Sequence, residues 1–442
     1  MTIGRSARIL LSAFAVLLGR SAGAAAQSND EIFPQFQWNF STPGARANGM
    51  GRAFIGMADD ATATISNPAG LVSLTKPQVY FEVKNTNLKV DRLAAADALT
   101  TLNPTAFSKD INALSFFGVS APIGSRLAVG FTVHQFLNYQ ESFQLEPRPV
   151  PGSPVGSVFR PVNGTADFKG TTFGFTASSA ILPKLNVGVT VASNRLQAES
   201  LAKRNDVLFS PTRDSGILAN QTSINDTVTA ASFSWGAQFK PNEKVSVGFE
   251  HVIGPRFKTE ENLEFNPGNG VNLPVVQGTG FPVPVSIDVP DRLGFGLSLR
   301  PGARWVFAFD ATRIQYSSLV KDFALIFGQA TLNTNQYTIA DVTEAHAGAE
   351  ISLSAGRTPI FLRAGIFTNP NHAIEFHGAS TVLTQDARDN ELTQTAIYNL
   401  LERQTEVRGT VGAGFAFGQR MQLDFAYVID SEFVVSAGIR FK

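Results

Sequence analysis

From about residue 77 onward the chain repeats one pattern, an apolar side chain at every second position. Leu127, Val129, Phe131 and Val133 alternate with Ala128, Gly130, Thr132 and His134. Val245, Val247 and Phe249 alternate with Ser246, Gly248 and Glu250, and Met421, Leu423, Phe425 and Tyr427 with Gln422 and Asp424. Such a period puts apolar groups on one face of a strand and small or polar groups on the other. Two all-β architectures satisfy it: a soluble sandwich with the apolar face inward, and a membrane barrel with that face outward.

Turn lengths separate them. Tight turn signals stand at Pro122 to Ser125, Pro183-Lys184, Pro241 to Glu243, Pro301-Gly302, Ala355 to Thr358 and Gly418-Gln419. Between them lie long polar connections: Pro147 to Asn163, Ala202 to Asn225, Asn262 to Phe281 and Asn371 to Thr405. Short turn then long connection, repeated, gives about fourteen strands with short turns at one rim and long loops at the other, the asymmetry of an outer-membrane barrel. Val435, Ala437, Ile439 and Phe441 end the chain in an alternating strand with an aromatic residue, followed only by Lys442. The expected fold is all-β, a transmembrane antiparallel barrel. Helices are expected at Asp91 to Leu102 and at Asp386 to Arg403, both in extracellular loops.

The first residues read as an export signal: Arg5 and Arg8, an apolar core from Ile9 to Leu18, and small residues at Ala24-Ala25-Ala26. About ten apolar residues do not span a bilayer as a helix. No later apolar run reaches about 18 residues, which excludes a helical membrane protein. The absence of cysteine excludes disulfides and thiolate chemistry, and a net charge of +0 gives no electrostatic case for nucleic acid. With 36 Phe and a charged fraction of 16%, the composition suits an outer face that meets lipid.

Between the signal and the first strand lies a glycine-rich segment too short to fold alone. It reads Gly49-Met50-Gly51-Arg52-Ala53, then Ala58-Asp59-Asp60-Ala61, then Asn67-Pro68-Ala69. The order and spacing of these pieces resemble the amino-terminal hatch of the FadL-like family, outer-membrane transporters for long-chain fatty acids and other hydrophobic compounds. Pro290-Asp291-Arg292-Leu293-Gly294 and Leu362-Arg363-Ala364-Gly365 extend the resemblance more loosely. It implies a signal peptide over residues 1–26, a plug over 27–75 inside the lumen, and a barrel over 76–442. It also implies passive uptake of hydrophobic molecules, long-chain fatty acids first, across the outer membrane of a Gram-negative-type bacterium. Gly51, Asp59, Asp60, Asn67, Pro68 and Ala69 are the candidate gating residues. Asn67 before Pro68 favours an extended or turn conformation, and either aspartate can cap a helix.

Strand parity, carried upward, turns Glu250, Arg256, Lys258, Asp310, Arg363, Asp424 and Arg440 into the lumen. Arg–carboxylate networks account for most of such a set. A ligand pocket with aromatic walls and a cation for a carboxylate head accounts for the rest. Arg256 and Lys258 lie where the family has a basic strand segment and are the first candidates; Arg363, Phe361 and Phe367 share one inward face. Arg195 matches a basic family position, but its parity with Val187, Val189 and Val191 faces outward, so it enters a pocket only through a bulge. The family releases ligand sideways through a kink in the third strand. Here no Gly or Pro lies near Asn138-Tyr139-Gln140, and a bulge is the remaining means.

No catalytic set emerges. His372, Glu375 and His377 lack metal-ligand spacing, and His134 has no supporting nucleophile motif. The chain is read as a non-enzyme without cofactor or metal. Its expected partners are a fatty acid or hydrocarbon, outer-membrane lipid and lipopolysaccharide, and the barrel-assembly machinery; it is read as a monomer. An assembly subunit of a secretion machine and a general porin are the alternative functions.

Overall fold

The computed structural model describes Trp38, residues 40–95, 102–150, 158–209, 212–265, 281–320, 336–355, 358–378 and 404–441, and scattered positions between 391 and 399. The expected signal peptide lies outside them. The alternating segments form one closed antiparallel barrel of 14 strands. These are β1 (Gln78–Ala95), β2 (Leu102–Ile123), β3 (Leu127–Leu145), β4 (Val162–Leu182), β5 (Leu185–Phe209) and β6 (Thr212–Asn242). Two strands are broken into halves: β7 (Val245–Ile253 and Arg256–Phe265) and β8 (Phe281–Asp288 and Arg292–Leu299). Then come β9 (Trp305–Ile314), β10 (Val342–Ala355), β11 (Thr358–Asn369), β12 (Glu406–Phe417), β13 (Met421–Val428) and β14 (Glu432–Arg440). β14 pairs with β1 from Arg440↔Gln78 to Glu432↔Thr86, which closes the wall.

The apolar face points outward. Phe131, Phe175, Val191, Trp235, Phe295, Phe309, Val411 and Tyr427 are exposed on successive strands around the wall. Such a girdle is stable only against lipid. The inward positions are small or polar, as Thr132, Thr176, Ser246, Ser298 and Ser436 show.

Two expectations change above the membrane. Ala202 to Asn225, read as a loop, is the paired top of β5 and β6, with Ala202↔Thr222 and Phe209↔Thr212 in register. Asp91 to Ala95 is not helical but continues β1, with Asp91↔Ala106 and Ala95↔Leu102 paired; residues 96–101 lie outside the described residues. The cause is common to both. Beyond the lipid the outer face meets water, so strands lose the polar–apolar alternation by which they are recognised. β6, at 31 residues, is roughly three times the ~9–11 residues a membrane span needs. The described residues between Glu391 and Tyr398 are helical, as read.

At the extracellular end, Leu145, Val162, Phe168 and Ile224 from the tall strands form one apolar cluster with Tyr337, Phe376 and Tyr398 from the loops. Below it the lumen is filled by residues 40 to 74. Their backbone forms two short helices, α1 (Ala45–Gly49) and α2 (Ala63–Ser66), and a 3-10 turn at Pro68–Ser73.

Candidate functional site: the docked plug and the cavity above it

Helices of five and four residues are too short to be stable alone. The plug is instead fixed by the wall. Gly44 N–H bonds the Glu82 carboxylate of β1. Gly51 N–H donates to Thr410 Oγ1 of β12 at 3.0 Å, and Phe54 and Ile55 N–H donate to Asp310 of β9. Gly51 adopts φ 63, and a Cβ there would lie 2.5 Å from the Ala347 carbonyl oxygen. Only glycine permits both that conformation and that approach.

An alternating chain of charges ties the plug to the β8–β9 turn and to β10, β11 and β13. Arg300 reaches Asp59 at 3.1 Å, Asp59 reaches Arg46 at 2.6 Å, and Arg46 reaches Glu350 at 3.0 Å. Glu350 continues to Arg363 at 2.7 Å, and Arg363 to Asp424 at 2.7 Å. Burial alone disfavours the Arg46 charge, yet Asp59 and Glu350 hold its pKa well above the ordinary value. Asp60 makes no ion pair among the described residues, and Arg46 acts on it only at longer range. It accepts from Thr62 N–H at 2.9 Å and from the Thr62 hydroxyl at 2.6 Å. Burial and neighbouring Asp59 push its pKa up to about 6.

Asn67 is fully buried. Its Nδ2 donates to the Ile55 carbonyl at 3.0 Å within the plug and to the Ala237 carbonyl of β6 at 3.2 Å. Its Oδ1 accepts from Ala69 N–H at 3.2 Å and so caps the turn that Pro68 begins. The contact needs glycines in the wall: a Cβ at Gly236 would lie 2.2 Å from Asn67 Oδ1.

Above the plug is a cavity of about 110 Å³. Phe40, Ile55, Phe136 and Val252 supply apolar lining, and Arg52 and Arg292 supply charge. Arg52 pairs with Glu432 at 3.1 Å and stacks on Phe367 at 4.2 Å. Arg292 stacks over Phe40 at 4.6 Å. Among the described residues it makes no hydrogen bond or ion pair, although Glu250 and Glu344 face the same cavity.

None of the six ligand-binding residues expected from the sequence lines this cavity. Arg363 is inward and fully buried but is consumed by Glu350 and Asp424, and Phe361 packs beside it at 5.6 Å. Phe367 supports Arg52. Arg195 is exposed on the outer face, and β5 pairs with β4 and β6 without a bulge around it. Arg440 is exposed at the barrel's end.

Arg256 and Lys258 are also on the outer face, the reverse of their expected parity. Arg256 lies 3.4 Å from Asp288 and 3.1 Å from Asp291. The reason is a paired break. Gly254-Pro255 in β7 lies beside Val289-Pro290 in β8, and proline cannot supply a ladder hydrogen bond. Below the break the even-numbered residues Ser246, Gly248 and Glu250 are buried; above it the odd-numbered Phe257, Thr259 and Glu261 are. β8 changes in the same way, from Gly294, Gly296 and Ser298 to Val285 and Ile287. The register between the two strands is preserved, with Val252↔Arg292 and Arg256↔Asp288. Both strands therefore reverse their faces together. Arg292, which sequence reasoning placed in a motif but not in a site, stands just below the break and faces inward.

The third strand carries a bulge, the feature that could serve there in place of a Gly or Pro kink. The β3–β4 register slips at Phe136, between Gln135 and Leu137, and β3 pairs with β2 only up to Phe116↔His134. Above that point the two strands part. A second cavity, of about 100 Å³, lies there between Lys84, Ile111, Phe136 and Tyr139. His372 stacks on Tyr316 at 4.3 Å, and no cluster suited to a metal occurs among the described residues.

A family model described as outer membrane protein transport protein (OMPP1/FadL/TodX) matches residues 39–378. Among solved structures, a Pseudomonas aeruginosa FadL homologue is similar with a TM-score of 0.63 at 14% identity, covering 92% of this chain and 100% of that one. The Ralstonia pickettii toluene transporter TbuX follows at 0.56 and 14%, covering 91% and 100%. The Pseudomonas putida toluene transporter TodX gives 0.55 and 13%, covering 91% and 99%. No curated protein matches by sequence.

Proposed function

The chain belongs to the OMPP1/FadL/TodX family of outer-membrane proteins that transport hydrophobic compounds, and from that premise we propose that its substrates are amphiphiles with an anionic head, long-chain fatty acids first. One observation carries the reading: Arg292 points into a partly apolar cavity, stacked on Phe40, with its hydrogen-bonding capacity unused among the described residues. A carboxylate supplies the missing acceptor, since charge-assisted bonds to a planar guanidinium are strong and directional. The cavity, at about 110 Å³, is smaller than the ~300–1,000 Å³ of a typical ligand pocket. The head group therefore occupies it, and the tail extends along the aromatic residues above.

Uptake then proceeds down a gradient. The apolar cluster at the mouth captures the molecule, the cavity holds its head, and displacement of the plug or parting of the wall releases it. The bulge at Phe136 and the lost β2–β3 pairing above it support a lateral exit there. The test is binding of oleate and of a matched neutral hydrocarbon to Arg292→Met. Oleate binding is expected to weaken by about 1.5–3 kcal/mol, the scale of a hydrogen bond to a charged group, and hydrocarbon binding to hold. Equal loss of both, or loss of neither, removes Arg292 as the head-group site. TodX and TbuX are named as toluene transporters; preference for toluene over oleate in the same assay makes the aromatic hydrocarbon the substrate.

A further inference from the structure

The paired break has a second effect, on the other edge of β7. Below it, β6 and β7 pair from Asn242↔Val245 to Phe233↔Ile253. Above, they pair again from Ser223↔Asn262 to Asn220↔Phe265. Between these ladders, residues 224–232 of β6 and 254–261 of β7 have no partners in each other. β6 itself is undisturbed there, since Ile224↔Ser200 through Ser232↔Ala192 remain paired with β5. The departure belongs to β7.

This seam is filled by side chains. Phe257, fully buried, points into the lumen beside it and belongs to one apolar cluster with Val228 and Ala230 of β6. Its ring stacks on Phe136 at 6.3 Å with planes 7° apart, and Phe136 stacks on Trp38 at 6.2 Å. The seam thus touches the bulged residue of β3 across the lumen. A polar contact bridges it, Thr259 Oγ1 donating to Asp226 Oδ2 at 2.7 Å.

Its position suits lipid. The lower half of β7 is nine residues long, about one membrane span, so the seam begins at the outer edge of the hydrocarbon. Phe233 and Ile253, the residues just below it, are exposed apolar groups. Above them Thr229, Thr227 and Asn225 face outward. Arg256 and Lys258 stand on the outer face of the same seam, at the height of lipid head groups. Gly254, Pro255, Val289 and Pro290 line the Arg292 cavity from inside.

We propose that the β6–β7 seam is a second lateral port in the barrel wall, shuttered by Phe257, through which an amphiphile passes between the Arg292 cavity and the outer leaflet. An unpaired stretch opens by moving side chains alone, whereas parting a continuous ladder breaks a backbone hydrogen bond at nearly every residue. Lys258, outside the port, receives the anionic head as it leaves Arg292, while Arg256 is held by Asp288 and Asp291. The port rests on the transport reading, and the experiment separates the two.

The chain has no cysteine, so an introduced pair is unique. Asp226→Cys with Thr259→Cys places thiols where side chains already touch. A control pair, Asn85→Cys with Asn112→Cys, replaces a 2.9 Å contact where β1 and β2 are paired in regular register. Uptake of labelled oleate is measured in cells with each pair oxidised and reduced, with cross-linking checked by mass. Oxidation is expected to lower uptake at least fivefold in the seam pair, reversibly with reductant, and not in the control, while oleate binding by purified protein persists. Normal uptake with the seam fully cross-linked overturns the port. Failure of the unmodified protein to transport oleate refutes the substrate reading instead. Should the disulfide not form, Phe257→Ala decides: a faster uptake supports the shutter, and an unchanged rate in a folded barrel overturns it.

Discussion

Asn67→Ala tests whether one side chain holds the plug closed. The amide makes three hydrogen bonds, two donated by Nδ2 and one accepted by Oδ1, in a site with no exposed surface. At about 1 kcal/mol each, their loss costs about 3 kcal/mol. The Ile55 carbonyl and Ala69 N–H are left short of a partner in the buried state, and a penalty of ~1 kcal/mol or more for such a group takes the total to about 3–5 kcal/mol. At ~1.4 kcal/mol per decade, the undocked fraction rises by about 10²–10⁴-fold. Ala69→Cys, at a fully buried position and supplying the only thiol in the chain, reports it. Labelling by a small aqueous thiol reagent in folded barrels is expected to quicken by that factor when Asn67→Ala is added. A change below about threefold, under ~0.7 kcal/mol, refutes the latch and leaves Asn67 as local packing. Deleting residues 40–74 sets the limit, a barrel that leaks small polar solutes.

The remaining predictions concern wall, charge and pH. Gly248→Val puts a side chain where a Cβ already lies 2.2 Å from the Ile55 carbonyl oxygen; the barrel should still run heat-modifiably on gels while the Ala69→Cys thiol becomes reactive. Arg363→Leu leaves Asp424 and Glu350 short of a buried cation, so barrel stability should fall by about 3–5 kcal/mol, the cost of breaking a buried pair, measured as a lower unfolding midpoint in urea. Asp60 binds its proton more tightly docked than free, at about 6 against 3.8. Its contribution to docking is therefore full below its ordinary pKa and lost as pH rises through about 6. Labelling of the Ala69→Cys thiol should accelerate between pH 4 and 6, and Asp60→Asn should flatten that rise. Arg256→Ala with Lys258→Ala should leave the affinity for oleate unchanged within about twofold (~0.4 kcal/mol), because both side chains lie outside the wall; a tenfold loss would return them to the site.

Alternation at every second residue and the rhythm of short and long connections were enough to specify the barrel, its number of strands and the lipid-facing set. These are local properties, since parity within a strand survives wherever one face meets lipid and the other does not. The glycine-rich segment packed in the lumen stood out for a related reason. Gly51, Asn67 and Pro68 have backbone and hydrogen-bonding needs that few other residues meet. The cation proposed to face the ligand was not legible. Parity carries information only along an unbroken strand, and the sequence cannot say whether Gly254-Pro255 ends a strand, bulges it or reverses its faces. That depends on Val289-Pro290, some 35 residues on, lying beside it in register. Whether Arg363 is free for a ligand likewise depends on Glu350 and Asp424 from neighbouring strands, and Arg46 from the plug then completes the charge of Glu350. Pairing between strands and docking of the plug bring these groups together, and both are long-range contacts. Tertiary structure alone therefore moved the proposed head-group site from Arg256 and Lys258 to Arg292.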